Sequence, residues 1–243
     1  MFEKRITELE RIDTGDYTPA EYATFLREIA FINRYFGDRR ALKKTLLRAI
    51  ERDNLREFSV LDVGCGSGEL LRIIAEFAEK SGRKASLTGI DLNPISSSTT
   101  RSESTGFPEI ASVQGDAFQL PFAEAAFDYA ISSLFFHHLT DEQIPDVLRE
   151  MTRVARRGIV VIDLHRDPVT YVGYKLLCFV FRISPLVRHD GSLSIKKGFR
   201  EEDFRRLAGD AGLNSHVEQI LPGRVLLSTD RQLWLYNRQR PDR

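Results

Sequence analysis

The stretch Val60-Leu61-Asp62-Val63-Gly64-Cys65-Gly66-Ser67-Gly68 decides how this chain folds. The apolar run from Phe58 to Val63 has the composition of a buried strand, and it meets three glycines at alternate positions. Glycines there allow a sharp turn and let a ligand approach main-chain N–H groups with no Cβ in the way. A helix is expected from Glu69, where Leu70, Leu71, Ile74, Phe77 and Ala78 recur at helical spacing and Gly82 supplies the stop. Strand, glycine turn and helix together describe a nucleotide-type cofactor site.

The glycine spacing separates two cofactor classes. A dinucleotide fingerprint reads G-x-G-x-x-G, with a pyrophosphate on the helix N-terminus. From Gly64 that pattern needs glycine at position 69, which is Glu69, and a carboxylate there repels a pyrophosphate. The pattern present is D-x-G-x-G-x-G over Asp62–Gly68, which resembles motif I of the class I S-adenosylmethionine (AdoMet) methyltransferases. AdoMet carries a sulfonium and an ammonium and no phosphate, so an acid such as Asp62 suits its amino-acid end.

Further passages occur in that family's order. Ser86–Asp91 reads as the second strand and ends in an acid roughly 20 residues beyond the glycines, the reach of one βαβ unit. Ala111–Ala117 reads as the third strand, and Leu120-Pro121-Phe122 with Ala126–Ser133 matches the passage into the fourth. The resemblance covers residues 58–163 well and 199–229 loosely, and within the family it points to the small-molecule (type 11/12-like) branch. It implies AdoMet as cofactor, S-adenosylhomocysteine as product, and a site of Asp62, Gly64, Cys65, Gly66, Gly68, Asp91, Leu92, Asp116, Ala117 and Ser132. Asp91 is expected to bridge the ribose hydroxyls, and Asp116-Ala117 to meet the adenine edge. Arg34, at the end of an N-terminal helix, is a further candidate for the cofactor carboxylate.

The expected fold is α/β: a three-layer, doubly wound, mostly parallel seven-stranded sheet with an antiparallel last strand. Residues 1–54 read as an N-terminal helical cap, with helices through Tyr22–Ile32 and through Leu42–Ile50, and residues 55–243 as the AdoMet-binding core. The fifth strand is Gly158–Asp163, and Ser215–Leu221 with Val225–Thr229 forms a closing hairpin. Arg231–Arg243 extends the last strand or frays. Residues 164–198 form a lid insertion, because Tyr171–Phe181 is too apolar for a loop and too short to cross a membrane, which takes about 20 residues. One apolar helix over the site is the simplest account; a weak interfacial contact with lipid, flanked by Lys175 and Arg182, is the alternative.

Thirty-five basic and 35 acidic residues cancel, which argues against nucleic acid as partner, since that needs a basic field. Two cysteines point to a reduced compartment, and the N-terminus lacks the apolar run of a signal peptide. The expectation is a cytoplasmic monomer or homodimer, without a transmembrane segment, acting in secondary metabolism.

The segment after the fourth strand narrows the acceptor. Ser132-Ser133-Leu134-Phe135 stands where enzymes that methylate adenine amines or glutamine amides carry Asn/Asp-Pro-Pro-Tyr. Ser132 also breaks the metal-dependent catechol pattern and leaves Asp163 without an evident partner, so no metal is expected. Among the five histidines, His138, His165 and the His189-Asp190 pair are the candidate bases; His137 is the other half of the His137-His138 pair, in which one ring is expected to pack structurally. An aromatic-rich lid suits an apolar acceptor. The favoured reaction is O-methylation of a phenolic or polyketide-like compound. Ring C-methylation of a quinone-type compound, RNA or protein methylation, and AdoMet binding without methyl transfer are the alternatives.

Overall fold

The computed structural model describes residues 2–33 and 37–229. Seven strands make one sheet: β1 (Glu57–Val63), β2 (Lys84–Asp91), β3 (Ile110–Gln114), β4 (Phe127–Ser133), β5 (Ala155–Leu164), β6 (His216–Ile220) and β7 (Arg224–Ser228). Their order is β3-β2-β1-β4-β5-β7-β6. The first five pair in parallel, and β7 lies antiparallel between β5 and β6. The winding reverses between β1 and β4, so the connections leaving these strands diverge and open a crevice above their carboxyl ends.

Around the sheet run α1 (Arg11–Thr14), α2 (Pro19–Asn33), α3 (Asp38–Leu42), α4 (Arg48–Arg52), α5 (Glu69–Lys80), α6 (Pro94–Glu103), α7 (Ile144–Val154), α8 (Pro168–Val180), α9 (Pro185–Lys197) and α10 (Glu201–Asp210). Alternate residues of each strand enter different layers. Leu61 and Val161 pack with Val147, Leu148 and Phe204 of α7 and α10. Val60 and Ile131 pack on the other face with Leu71, Ile74 and Ile50 of α5 and α4. Burial on both faces is why β1, β4 and β5 are nearly continuous apolar runs.

Two expectations change in detail. The helix expected through Leu42–Ile50 contains a π turn at Lys43–Leu47, where the Thr45 hydroxyl donates to Ala41 O at 2.8 Å. The wider turn keeps Leu46, Leu47 and Ile50 all inside the core. The region after β5 holds two helices, α8 and α9, because Pro185 disfavours helical conformation at the residue before it. Asp167 caps the first, accepting from Val169 N at 2.8 Å and Thr170 N at 3.0 Å. A small apolar cluster of Ile32, Tyr174, Cys178 and Ile195 joins α2, α8 and α9 above the carboxyl edge of the sheet. Arg34 and the tail beyond Thr229 lie outside the described residues.

A buried ion pair ties α3 to this edge. Arg224, at the start of β7, donates to both carboxylate oxygens of Asp38, at 2.6 and 2.9 Å. Both side chains are buried, so removing one strands the other charge. Asp38→Ala should therefore lower the unfolding free energy by about 3 kcal/mol or more in urea titrations.

Candidate active site

The site is built on the turn after β1. Gly64, Gly66 and Gly68 all have left-handed φ, at +73°, +54° and +75°. Gly64 N and Cys65 N donate to Ile90 O at 2.9 and 3.2 Å, and Gly66 N donates to Asp91 Oδ2 at 3.0 Å. The Thr100 hydroxyl closes the brace on Gly66 O at 2.9 Å. The three glycines serve different ends. A Cβ at Gly64 would stand 2.7 Å from the Phe135 ring, and one at Gly68 would stand 2.7 Å from the Thr100 methyl. At Gly66 a Cβ meets nothing within 4 Å. Gly66 alone of the three faces open space.

Above this turn lies a cavity of about 1020 Å³, large enough for a cofactor and an acceptor together. Asp62, Gly64, Cys65, Gly66, Asp91, Leu92, Asp116 and Ala117 lie along one side of it. Asp62 is 2% exposed, and no described residue donates to its carboxylate. Burial, reinforced by the Asp91 charge, pushes its pKa up to about 7. Burial likewise raises Asp91, although Asn93 N at 2.9 Å and Gly66 N hold its carboxylate. Two adjacent acids beside a glycine turn, with no cation in contact among the described residues, fit a cationic ligand and not a pyrophosphate.

A family model described as a methyltransferase domain matches residues 60–158. Demethylmenaquinone methyltransferase of Bacillus pumilus is 31% identical over 123 residues, covering 50% of each chain. The 2-phytyl-1,4-naphtoquinone methyltransferase of Thermosynechococcus vestitus is 33% identical over 100 residues, covering 41% of this chain and 42% of its own. The chain thus spans about half the length of the curated relatives it matches. A SAM-dependent methyltransferase structure from Aquifex aeolicus superposes with a TM-score of 0.58 at 16% identity, covering 87% of this chain and 97% of that one. Residues 60–158 therefore match a methyltransferase domain, and the fold around them is that of AdoMet-dependent methyltransferases.

The cavity gathers only part of the residues expected there. Ser132 is off the wall: it is fully buried and its hydroxyl donates to Val63 O at 2.7 Å, tying β4 to β1, while Ser133 takes the lining position. Gly68 is absent from the wall as well, because its open side is filled by Thr100. The Cys65 thiol points toward Gly89, and burial pushes its pKa up to about 12, so it is an inert packing group. Asp116 lines the cavity, with Oδ1 accepting from Phe118 N at 2.9 Å.

The candidate bases separate more sharply. His165 does not reach the cavity; its Nδ1 is engaged by Asp167 at 2.7 Å and by Gln219 at 3.1 Å. His189 and Asp190 do meet, at 2.8 Å, but the imidazole is half-exposed outside the cavity. The buried Asp190 carboxylate accepts from Arg11 N and Ile12 N, both at 3.1 Å, and so caps α1. His138 lines the cavity and contacts Asp13 at 2.9 Å. Burial opposes its charged form, but Asp13 and Glu10 outweigh that and raise its pKa. Carboxylates that favour the charged form make this imidazole less ready to accept a proton.

The pair that sequence reasoning missed is His137 with Asp163. His137 N donates to Asp163 Oδ2 at 3.2 Å, and Nδ1 lies 2.8 Å from Oδ1. Nε2 lies 4.0 Å from Glu10 Oε1, and the residue is part of the cavity lining. Burial lowers the His137 pKa against the pull of Asp163, so the ring is neutral at neutral pH. The local signal was the adjacent His137-His138 pair, but nothing in the sequence tied Asp163 to the first ring.

Glu10, Asp13 and Lys197 complete this corner. Lys197 Nζ is 3.0 Å from Glu10 Oε1 and 3.1 Å from Asp13 Oδ2, and Ser194 Oγ donates to Glu10 Oε2 at 2.9 Å. Among the described residues, Glu10, His137 and His138 form the group with metal-ligand spacing, their ligand atoms within 4.8 Å of one another. The Lys197 ammonium already fills the place of a cation beside Glu10, so these residues fit a closed ion-pair network better than a metal.

Asp62 provides a test of the cavity's electrostatics. Its folded pKa lies above the unfolded value, so its contribution to stability is full below pH 4 and is lost as pH rises toward 7 and beyond. Asp62→Asn should therefore stabilise the cofactor-free protein at pH 8, by up to about 4 kcal/mol, and leave it nearly unchanged at pH 4 in denaturant melts.

Proposed function

We propose that this chain transfers the methyl group of AdoMet to a ring carbon of a small hydroquinone-type acceptor, with His137 as the base. The observation that carries this reading is the buried, carboxylate-held imidazole of His137, a residue of the cavity lining whose burial favours the neutral form. Bound AdoMet supplies an electrophilic methyl on a sulfonium. The chain's part is to align the acceptor and to remove a proton from a weak nucleophile.

Each part has a residue suited to it. Asp62 would take the ammonium end of the cofactor, whose charge would offset the burial that now holds the carboxyl toward its neutral form. Asp91 would accept from the ribose with its remaining lone pairs, and Leu92, Asp116 and Ala117 would frame the adenine. Phe25, Ile29, Leu134, Phe135, Tyr174 and Ile195 give the rest of the cavity an apolar wall suited to an aromatic ring. His137 Nε2 would take the phenolic proton, Nδ1–H staying with Asp163. Loss of that proton would raise electron density on the neighbouring ring carbon, which would take the methyl as its bond to sulfur breaks and S-adenosylhomocysteine leaves; the keto tautomer so formed would give its C–H proton to solvent and take the proton held by His137 on its oxygen, restoring the aromatic hydroquinone.

A phenol oxygen would use the same base, so the geometry serves O- and C-methylation alike. The names of the relatives, both quinone methyltransferases, move the choice from the O-methylation favoured by sequence alone to C-methylation. A balanced overall charge still speaks against RNA as acceptor.

Incubation with labelled AdoMet and a panel of naphthohydroquinones, phenols and RNA tests the reading. A C-methylated naphthohydroquinone, identified by mass spectrometry and NMR, is expected; AdoMet binding with no product on any acceptor would sink it. On the preferred acceptor His137→Gln should lower kcat by roughly 100-fold to 10,000-fold with AdoMet affinity unchanged, while His165→Ala and His189→Ala stay near wild type. Because burial lowers the His137 pKa, the acid limb of kcat should lie below pH 6.5, the ordinary imidazole value, with the rate falling as pH drops through it.

A further inference from the structure

The helix α8 has two apolar faces, and the described residues cover only one of them. Thr170, Tyr174 and Cys178 point inward, and the Tyr174 hydroxyl donates to Val187 O at 2.5 Å. On the far side Val169, Val172, Leu176, Phe179 and Val180 are exposed, Val169 by 80% and Phe179 by 77%. At about 100° per residue these five positions fall within an arc about 100° wide. Phe181, 52% exposed, continues the stripe past the helix end. A surface helix of a globular protein normally turns polar residues outward, so this stripe marks a contact.

The charges around the stripe select its occupant. From Pro168 to His189 the charged residues are Lys175, Arg182 and Arg188, with no Asp or Glu among them. All three are exposed. The nearby carboxylate of Glu28 is turned inward, accepting from Ser184 N at 3.0 Å and Ser184 Oγ at 2.6 Å. An apolar stripe whose own segment, Pro168 to His189, carries cations and no acid complements a surface with an apolar interior and an anionic rim. Thirteen residues rise only about 20 Å as a helix, short of the 30 Å hydrocarbon core, so α8 can lie in a membrane face and not cross it. No helix among the described residues is long and apolar enough to cross a membrane.

We propose that the outer face of α8 docks on an anionic lipid bilayer, with Val169, Val172, Leu176 and Phe179 entering the acyl boundary and Lys175, Arg182 and Arg188 meeting the headgroups. The inner face of the same helix carries Tyr174 on the wall of the cavity. Docking thus sets the cavity one helix away from the bilayer. The docking stands without any assumption about the acceptor; its use for loading a lipid-soluble acceptor rests on the proposed quinone chemistry.

Vesicle flotation of the full chain, with no acceptor present, tests it. The protein should float with vesicles of phosphatidylcholine and phosphatidylglycerol and much less with phosphatidylcholine alone. Leu176→Glu/Phe179→Glu should cut flotation about tenfold or more while AdoMet binding and melting stay as in wild type. Lys175→Glu/Arg182→Glu should abolish the preference for anionic vesicles. Absence of flotation with either vesicle, or wild-type flotation by Leu176→Glu/Phe179→Glu, overturns the proposal. So does a dimer in analytical ultracentrifugation that this double variant dissociates while wild type ignores vesicles, which assigns the face to a second copy. Methylation of a soluble naphthohydroquinone is read separately, so failure of docking and failure of the proposed activity are told apart.

Discussion

The turn after β1 constrains everything above the sheet. Three residues with left-handed φ at alternate positions bring the chain from strand to helix, and two of them are packed so closely that a Cβ would strike Phe135 or Thr100. The hydrogen bonds from Gly64, Cys65 and Gly66 to Ile90 and Asp91 lock the turn to β2. Only a residue without a side chain meets both demands. Because the turn is fixed, Asp62 is held below it and Asp91 beside it, and Phe135 is drawn against Gly64. The 3₁₀ turn Phe136–His138 then brings His137 and His138 into the cavity.

The electrostatics of the cavity divide along its length. At the glycine end two acids stand without a cation in contact among the described residues, and burial shifts both toward the neutral form. At the other end the charges are paired: Asp163 with His137, Asp13 with His138, and Lys197 between Glu10 and Asp13. One end is therefore prepared for a cation brought by a ligand, whereas at the other each acid already has a basic side chain at contact distance. That contrast arises from which acids have a basic neighbour at contact distance.

The N-terminal segment contributes more than its sequence suggests. Glu10 and Asp13 join the histidine corner, Asp190 caps α1, and Arg166, almost fully buried, donates to Phe2 O and Glu3 O at 3.1 Å. Arg5 stacks on Phe199 at 4.1 Å and pairs with Asp141. These contacts hold the segment against α9 and the end of β5, so it forms one side of the cavity.

The sequence by itself determined the sheet, the glycine turn and the acids Asp62, Asp91 and Asp116. Each of these rests on local order: apolar runs of strand length, glycine where φ must be positive, and an acid at the end of successive strands. It also made α8 apolar throughout, without saying which side is covered. The tertiary structure decided the rest. It moved Ser132 from the ligand wall to a bond with Val63 O, took His165, His189 and Asp190 away from the cavity, and gave Asp163 a partner in His137. Glu10 meets Lys197 and His137 only because β5, α9 and the N-terminal segment converge at one edge of the sheet. A backbone conformation is set by neighbouring residues and can be read along the chain, whereas an imidazole's partner and pKa are set by groups that only the packed fold brings within a few ångströms.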